Sequence, residues 1–370
     1  MQLEAERGDE MFIKKVEAKV ISTPFNVSFR TSYGDMPTSQ SHIIVRITDE
    51  DEVTGIGEAS PLPFFTGETA QMMKLAIESE LRPALIGEHI FSIEKIHQKM
   101  DAVLYPATGA KSAVDMALWD LKGKRLQTPV YQLLGAEKKI VPLVYALGED
   151  TPQNMARLAQ EKTKQGFGTV KIKIGIDPEK DIEAVKQVRQ AVGEEISLRV
   201  DANQGYTVKK AIKVMGKIEQ YAIDYIEQPV PYWNTDGLAE IRRHTGIPIM
   251  ADESIHSVQD ALNLIHKGAV DLFGIKLIKC AGITQALKIF HLAEASGIDC
   301  VLISPWDTQL GTHAGGHISM LFSGGYAQEL VGPHYITSDP FGSSANRSVY
   351  EPNDLPGFGV KDSFDSIAGE

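Results

Sequence analysis

Thr169-Val-Lys-Ile-Lys-Ile-Gly175 alternates apolar and charged residues. Val170, Ile172 and Ile174 share one face of a two-residue period, and Lys171 and Lys173 share the other, which predicts a strand with two lysines pointing the same way. Alone, the stretch reads equally well as an exposed edge strand with solvated lysines. The segments downstream decide between the two. Leu198-Arg-Val-Asp201, Tyr225-Ile-Glu227, Ile249-Met-Ala-Asp252 and Phe273-Gly-Ile-Lys276 each end a short apolar run on a charge, and each precedes a helix-like segment. Counted from Lys173, the successive charges lie 28, 26, 25 and 24 residues apart, the period of a βα unit. Five charges at the carboxyl ends of successive strands predict an α/β chain folded as a (β/α)8 barrel, with the active site on that face.

Working outward, Val141-Pro-Leu-Val-Tyr-Ala146 supplies strand one, with Thr151 as a helix cap behind it. Cys300 to Pro305 supplies strand seven and Gly325 to Leu330 strand eight, so the barrel is expected over residues 139–332. Upstream, Phe12–Ser22, Ser41–Thr48 and Val53–Glu58 read as an antiparallel meander. Helical spacing follows over Thr69–Glu80, Ile93–Tyr105 and Ala110–Leu126, where Val114, Leu118 and Leu121 form a core stripe. An α+β domain over 11–135 is the simplest account. Two loops, Phe25–Gln40 and Pro61–Gly67, are long enough to be functional. Residues 333–370, rich in Gly, Pro, Ser and Asn, are expected to return over the first domain.

The bulk numbers agree with two domains: 370 residues, 43% hydrophobic and 23% charged. A net charge of −12 argues against nucleic acid as a partner. Two cysteines, Cys280 and Cys300, exclude a disulfide framework or zinc cluster. Met1–Glu10 is polar and acidic with no apolar run behind it, so no membrane span is expected and the cytoplasm is the default. A homo-oligomer acting on a small-molecule carboxylate is the expected context.

Asp201, Glu227 and Asp252 sit on three adjacent predicted strands. Three carboxylates converging in a barrel mouth repel one another unless a cation neutralises them. Oxygen-only ligands on rigid strands suit Mg2+, with Mn2+ as an alternative. The competing reading is plain salt-bridging within the barrel. Lys173 and Lys276, on strands two and six, flank the trio from opposite sides. Two opposed bases about a metal are what proton abstraction alpha to a carboxylate needs: one removes the proton and the other can return it on the opposite face. A barrel that binds a metal or ligand without chemistry is the rival class.

At this level the chain resembles the enolase superfamily and, within it, the muconate lactonizing subgroup of the mandelate racemase/muconate lactonizing enzyme family. The motifs are Lys171-Ile-Lys173, Asp201-Ala-Asn203, Glu227-Gln-Pro229, Ala251-Asp-Glu253 and Ile275-Lys276, with Ala113 to Lys124 similar to the family's pre-barrel helix. The resemblance implies an N-terminal α+β capping domain whose two loops close over the barrel mouth, Lys173 and Lys276 as acid/base pair, and Lys171 beside the substrate carboxylate. Asn203 belongs to the same array as a substrate contact. Gly57 to Glu68 and Phe29-Arg-Thr31 look most like the dipeptide epimerases. Those enzymes carry Asp-x-Asp on strand eight to hold the substrate ammonium, whereas this chain reads Glu329-Leu-Val331, similar to the cycloisomerases.

Racemisation or epimerisation of an N-substituted amino acid or dipeptide is therefore expected, with muconate-type lactonisation or an o-succinylbenzoate synthase-like elimination as alternatives. Arg30 is expected to pair with an anionic substrate group. Phe64 and Phe65 are expected beside an apolar portion, and Trp306, Asp307 and Glu329 on the pocket wall. His313 and His317 read as helix-packing residues, and Lys279 as a solvated loop lysine.

Overall fold

A computed structural model describes residues 11–26, 29–322, 324–342 and 347–369. The polar start Met1–Glu10 and positions 27–28 of the first loop lie outside the described residues. Three antiparallel strands, β1 (Ile13–Pro24), β2 (Ser39–Asp49) and β3 (Thr54–Ala59), form a sheet in chain order. Helix α1 (Thr108–Arg125) lies against β2 and β3. Its Val114, Leu118 and Leu121 are fully buried, so the stripe read from the sequence is core. Close contact is possible because β3 has no side chains at two positions. A Cβ on Gly55 would lie 2.2 Å from the Ala117 carbonyl oxygen, and one on Gly57 2.2 Å from that of Ala113.

Seven parallel strands make the second unit in unbroken sequential order: β4 (Val144–Leu147), β5 (Thr169–Lys173), β6 (Ser197–Asp201), β7 (Ile223–Glu227), β8 (Ile249–Ala251), β9 (Leu272–Ile275) and β10 (Asp299–Leu302). Helices α2 (Pro152–Lys164), α3 (Pro178–Val192), α4 (Val208–Ile218), α5 (Thr235–Arg243), α6 (Val258–His266), α7 (Ile283–Ala295) and α8 (Gln309–Ser319) follow the strands in turn. Local sequence starts most of them. The side chains of Thr151, Asp177, Thr207, Asn234 and Ser257 accept amide hydrogens at the first turns of α2 to α6.

The eighth position is shorter than the sequence implies. Gln328 and Glu329 make single parallel bridges to Leu143 and Ile303 rather than an extended ladder. Those bridges still close the barrel. Gln328 N donates to Pro142 O and Val144 N to Gln328 O, while Glu329 N donates to Leu302 O and Ser304 N to Glu329 O, all within 2.8–3.0 Å. The Gln328 side chain adds a bond, its Oε1 accepting from Leu302 N at 2.7 Å. Pro61–Gly67 is likewise not a plain loop: Pro63–Thr66 forms one helical turn ended by Gly67 at φ 78°.

Several contacts join the units, and two of them bear on the site. Glu58, at the end of β3, accepts from Thr308 N at 2.9 Å, Thr308 Oγ1 at 2.5 Å and Gly311 N at 2.9 Å, so a carboxylate from one unit caps α8 of the other. Burial opposes its ionisation, but the His42 ring at 2.7 Å and the Thr308 bonds outweigh that and hold its pKa below the usual range. The C-terminal segment supplies the second contact. Phe358 N donates to Asp120 Oδ1, Thr54 Oγ1 to Asp362 and Arg46 Nη1 to Asp365, at 2.7–2.9 Å. Among the described residues no helix is long and apolar enough to cross a membrane.

The glycine contact gives a paired expectation. Gly57→Ala drives a methyl into backbone and should cost about 3 kcal/mol or more in urea unfolding. Gly216→Ala, on α4 with nothing within 4 Å of the added carbon, should be neutral or stabilise by up to about 1 kcal/mol. Equal midpoints for the two variants would mean that α1 does not depend on bare backbone in β3.

Candidate active site

The carboxyl ends of the barrel strands carry a buried lattice of amines and carboxylates. β5 and β9 stand four places apart in the strand order, hence on opposite sides of an eight-position barrel. Lys173 at the end of β5 donates to Asp201 Oδ2 at 2.5 Å and to Asn203 Oδ1 at 2.9 Å. Lys276, just past β9, donates to Asp252 Oδ2 and lies 4.3 Å from the centre of the Phe65 ring. Lys171, 1% exposed, sits between three acids: Glu329 at 2.5 Å, Glu227 at 3.1 Å and Asp201 at 3.3 Å.

Burial and charge compete at each of these groups. For Lys171, desolvation works to lower the pKa, but Glu227, Glu329 and Asp201 overcome it and hold the amine well above the ordinary lysine range. Lys276 is raised the same way, burial being outweighed by Asp252, Glu227 and Glu253. Burial also opposes ionisation of Asp201, yet Lys173 and Lys171 bring its pKa down to about 2. Asp252 is depressed further by Lys276 and Lys279. Glu227 goes the other way: burial and the neighbouring Asp201 push it well above the carboxylate range.

Could these residues hold a divalent cation? No three carboxylates, imidazoles or thiols among the described residues form a ready-made cage; amines occupy the spaces between the acids. The donor set nevertheless suits a hard cation. Asp201, Glu227 and Asp252 are fully buried on adjacent strands, and Glu227 Oε1 is buried without a hydrogen-bond partner. An orphaned carboxylate oxygen is costly unless something positive approaches it.

Above the lattice lies a cavity of about 60 Å3 lined by Lys171, Lys173, Lys276, Asn203, Glu227 and Glu329 below, and by Phe29, Met36, Leu62, Phe64, Phe65, Trp306 and Val331 around. That volume admits water but not a substrate of dipeptide size. Phe64, 53% exposed, stands at its edge against Tyr33, ring centres 5.0 Å apart. Trp306, at φ 72°, packs on Phe25, Phe29 and Tyr335 at 4.8–5.2 Å.

Two expected substrate contacts lie elsewhere. Arg30 is exposed and turns outward to Glu149 at 3.3 Å and Asp35 at 3.7 Å. Its neighbour Thr31 is the residue of that pair that lines the pocket. Asp307 faces a separate small cavity with Glu58 and Gly311. Burial and the Glu58 charge raise its pKa to about 7. The reading of Lys279 as solvated is also overturned. It is 1% exposed and donates to Asp252 Oδ1 at 2.5 Å and to the Asp252 carbonyl. His313 and His317 pack as expected, against Tyr350 and Tyr131 respectively.

Sequence reading missed two groups. Glu253 is 3% exposed, has one oxygen without a partner, and is raised to about 7 by burial and by the charges of Asp252 and Asp201. Tyr33 donates to its other oxygen at 2.5 Å. Glu253 lies in plain view inside Ala251-Asp-Glu253, and that three-residue frame is the signal that could have found it.

The chain matches the mandelate racemase / muconate lactonizing enzyme N-terminal domain over residues 10–135 and the enolase C-terminal domain-like family over residues 154–365. A hydrophobic dipeptide epimerase from Enterococcus faecalis is 42% identical over 310 residues, 84% of this chain and 87% of that protein. The N-succinyl-L-Arg/Lys racemase of Bacillus cereus is 34% identical over 94% of this chain and 93% of its own. A chloromuconate cycloisomerase from Cupriavidus necator is 31% identical over 89% and 90%. The crystal structure of the dipeptide epimerase from Enterococcus faecalis V583, complexed with Mg and the dipeptide L-Leu-L-Tyr, has a TM-score of 0.92 at 38% identity, covering 95% of this chain and 99% of that one. With both halves matched and the paired lysines and carboxylates standing at the barrel mouth, this chain belongs to the mandelate racemase/muconate lactonizing enzyme family of the enolase superfamily.

Proposed function

We propose that this protein is a divalent-metal-dependent isomerase that abstracts the proton alpha to a carboxylate, and that it racemises or epimerises an N-substituted amino acid or dipeptide with a hydrophobic side chain. The observation that carries the reading is the pair Lys173 and Lys276 on opposite strands, each ending over the same cavity. One amine takes the α-proton from one face of the substrate, and the other delivers a proton to the opposite face, which inverts the centre. Lys171, held by Glu227 and Glu329, presents fixed positive charge to the substrate carboxylate. Asp201, Glu227 and Asp252 would hold Mg2+, with Mn2+ as a substitute. Bound there, it would supply positive charge to these acids and to the reacting carboxylate, leaving Lys173 and Lys276 to carry the proton.

The apolar ring of Phe29, Met36, Leu62, Phe64, Phe65 and Trp306 supports a hydrophobic substrate side chain. Val331 lines the same pocket two residues after Glu329, and Glu329 is already paired with Lys171. A free ammonium there would lack a full set of partners, at a cost of several kcal/mol, which favours a substrate whose nitrogen is acylated or held elsewhere. Lactonisation of a muconate-type diacid is the second reading, favoured by the single acid Glu329 at this position. The protein is taken to work as a cytoplasmic homo-oligomer.

Three outcomes are expected. Deuterium should enter the α-position of hydrophobic dipeptides or N-acyl amino acids in D2O with Mg2+ added, and muconate turnover with no such exchange in any derivative would select lactonisation instead. Lys173→Ala and Lys276→Ala should each lose inversion by at least about 10²-fold, the worth of a positioned acid or base, while each still exchanges the epimer facing the remaining lysine. Chelation with EDTA, or Asp201→Asn, should abolish turnover with the far-ultraviolet circular dichroism unchanged; full activity after chelation would sink the metal assignment.

A further inference from the structure

Tyr33 stands at the turn of a small hairpin, Arg30–Thr31 paired with Gly34–Asp35, that overhangs the barrel mouth. The ring is 38% exposed and needs no polar partner, yet its hydroxyl is engaged twice. It donates to Glu253 Oε1 at 2.5 Å and accepts from Gln204 Nε2 at 2.5 Å. The same Glu253 oxygen accepts from Asn203 Nδ2 at 3.2 Å, and Asn203 Oδ1 accepts from the Lys173 amine at 2.9 Å. The Asn203 amide is thus fixed at both ends, by an acid on one side and the amine on the other. Next to Tyr33, Ser32 Oγ donates to the Asn203 carbonyl at 2.7 Å, so the hairpin grips this residue through its backbone as well.

The backbone at that point needs such a grip. Asn203 and Gln204 adopt φ of 39° and 67° in succession. Neither is glycine, and side-chain-bearing residues persist in the left-handed region where surrounding contacts over-determine them. Among the described residues the second lysine has no matching chain of directional bonds to the capping unit. Lys276 meets that unit at the face of Phe65, an apolar ring.

We propose that Tyr33 is a positioning residue for Lys173, acting through Glu253 and Asn203, so that docking of the hairpin orients one of the two amines and not the other. The inference rests on the acid/base roles proposed above. Tyr33→Phe keeps the ring against Phe64 and removes the hydroxyl, and its place on a partly exposed turn spares the fold.

The test follows deuterium exchange and inversion from each epimer of a substrate that the wild type turns over, in D2O with Mg2+. From the epimer whose α-proton faces Lys276, abstraction continues but proton return by Lys173 slows. Exchange without inversion should therefore rise on the order of tenfold relative to inversion, the worth of one hydrogen bond to a charged group. From the other epimer, abstraction by Lys173 slows, and its return slows against delivery by Lys276, so exchange without inversion should fall on the order of tenfold relative to inversion. Ser32→Ala should shift the ratio in the same direction. A second readout needs no turnover: amide hydrogen exchange over Ala202–Gln204 should quicken in ligand-free Tyr33→Phe.

If the wild type exchanges no α-proton in any candidate, the proposed function fails, and the amide readout alone decides the positioning role. If the wild type does exchange, ratios for Tyr33→Phe that match the wild type's from both epimers overturn that role. Unchanged amide protection at 202–204 overturns it in either case.

Discussion

Everything at the barrel mouth follows from one constraint: charged groups taken out of water must neutralise one another. Asp201, Glu227, Asp252, Glu253 and Glu329 are all at most 5% exposed, and the amines of Lys171, Lys173, Lys276 and Lys279 are interleaved with them. Such a lattice is a poor source of net stability, because desolvation consumes most of the Coulombic gain. Its value lies in geometry. Each amine is fixed by an acid on a neighbouring strand, and burial together with an excess of acid leaves Glu227 and Glu253 displaced upward in pKa. A site with that surplus is prepared for positive charge, and strongly displaced groups of this kind gather where chemistry is done.

The rest of the fold holds the lattice in place. Parallel pairing in sequential order sets the strand-end charges side by side, with Lys173 opposite Asp201 and Asp201 opposite Glu227 in register. The capping unit is anchored where Glu58 meets the first turn of α8, which fixes the segment carrying Trp306. α1 lies directly on the bare backbone of Gly55 and Gly57, so the sheet that presents the overhanging loops has little freedom to tilt.

Much of this is legible in the chain because the strand and βα periods are regular. Lys173, Asp201, Glu227, Asp252 and Lys276 announce themselves by spacing, since a charge that ends an apolar run at every βα period marks the mouth of a barrel. The misplacements have local causes. Arg30 and Thr31 are adjacent in a two-residue strand, and a one-residue change of register decides which of them faces inward. Their order cannot be read from composition. Asp307 follows Trp306, whose left-handed backbone redirects the chain toward Glu58. Lys279 reads as a loop lysine, but its loop folds back, with Lys279 N bonded to Lys276 O and Gly282 N to Leu277 O. That brings the amine onto Asp252. Strand eight stands where the sequence places it but is shorter, since two residues suffice to close a ring already held on both sides.

That short eighth strand has a bearing on how the pocket can diversify. Glu329 and Val331 sit in or beside the seam where the barrel closes, a seam held by a handful of backbone bonds and the Gln328 side chain. Glu329 is tied to Lys171, but exchanging Val331 disturbs little of the surrounding ladder while it alters the surface presented to the pocket. The strands ending on Lys173, Asp201, Glu227 and Asp252 offer no such freedom, since their terminal charges are locked to their neighbours. The molecule thus separates a physically constrained half of the mouth from an adaptable half. A chain built this way can change the lining of its pocket and leave the charged lattice untouched.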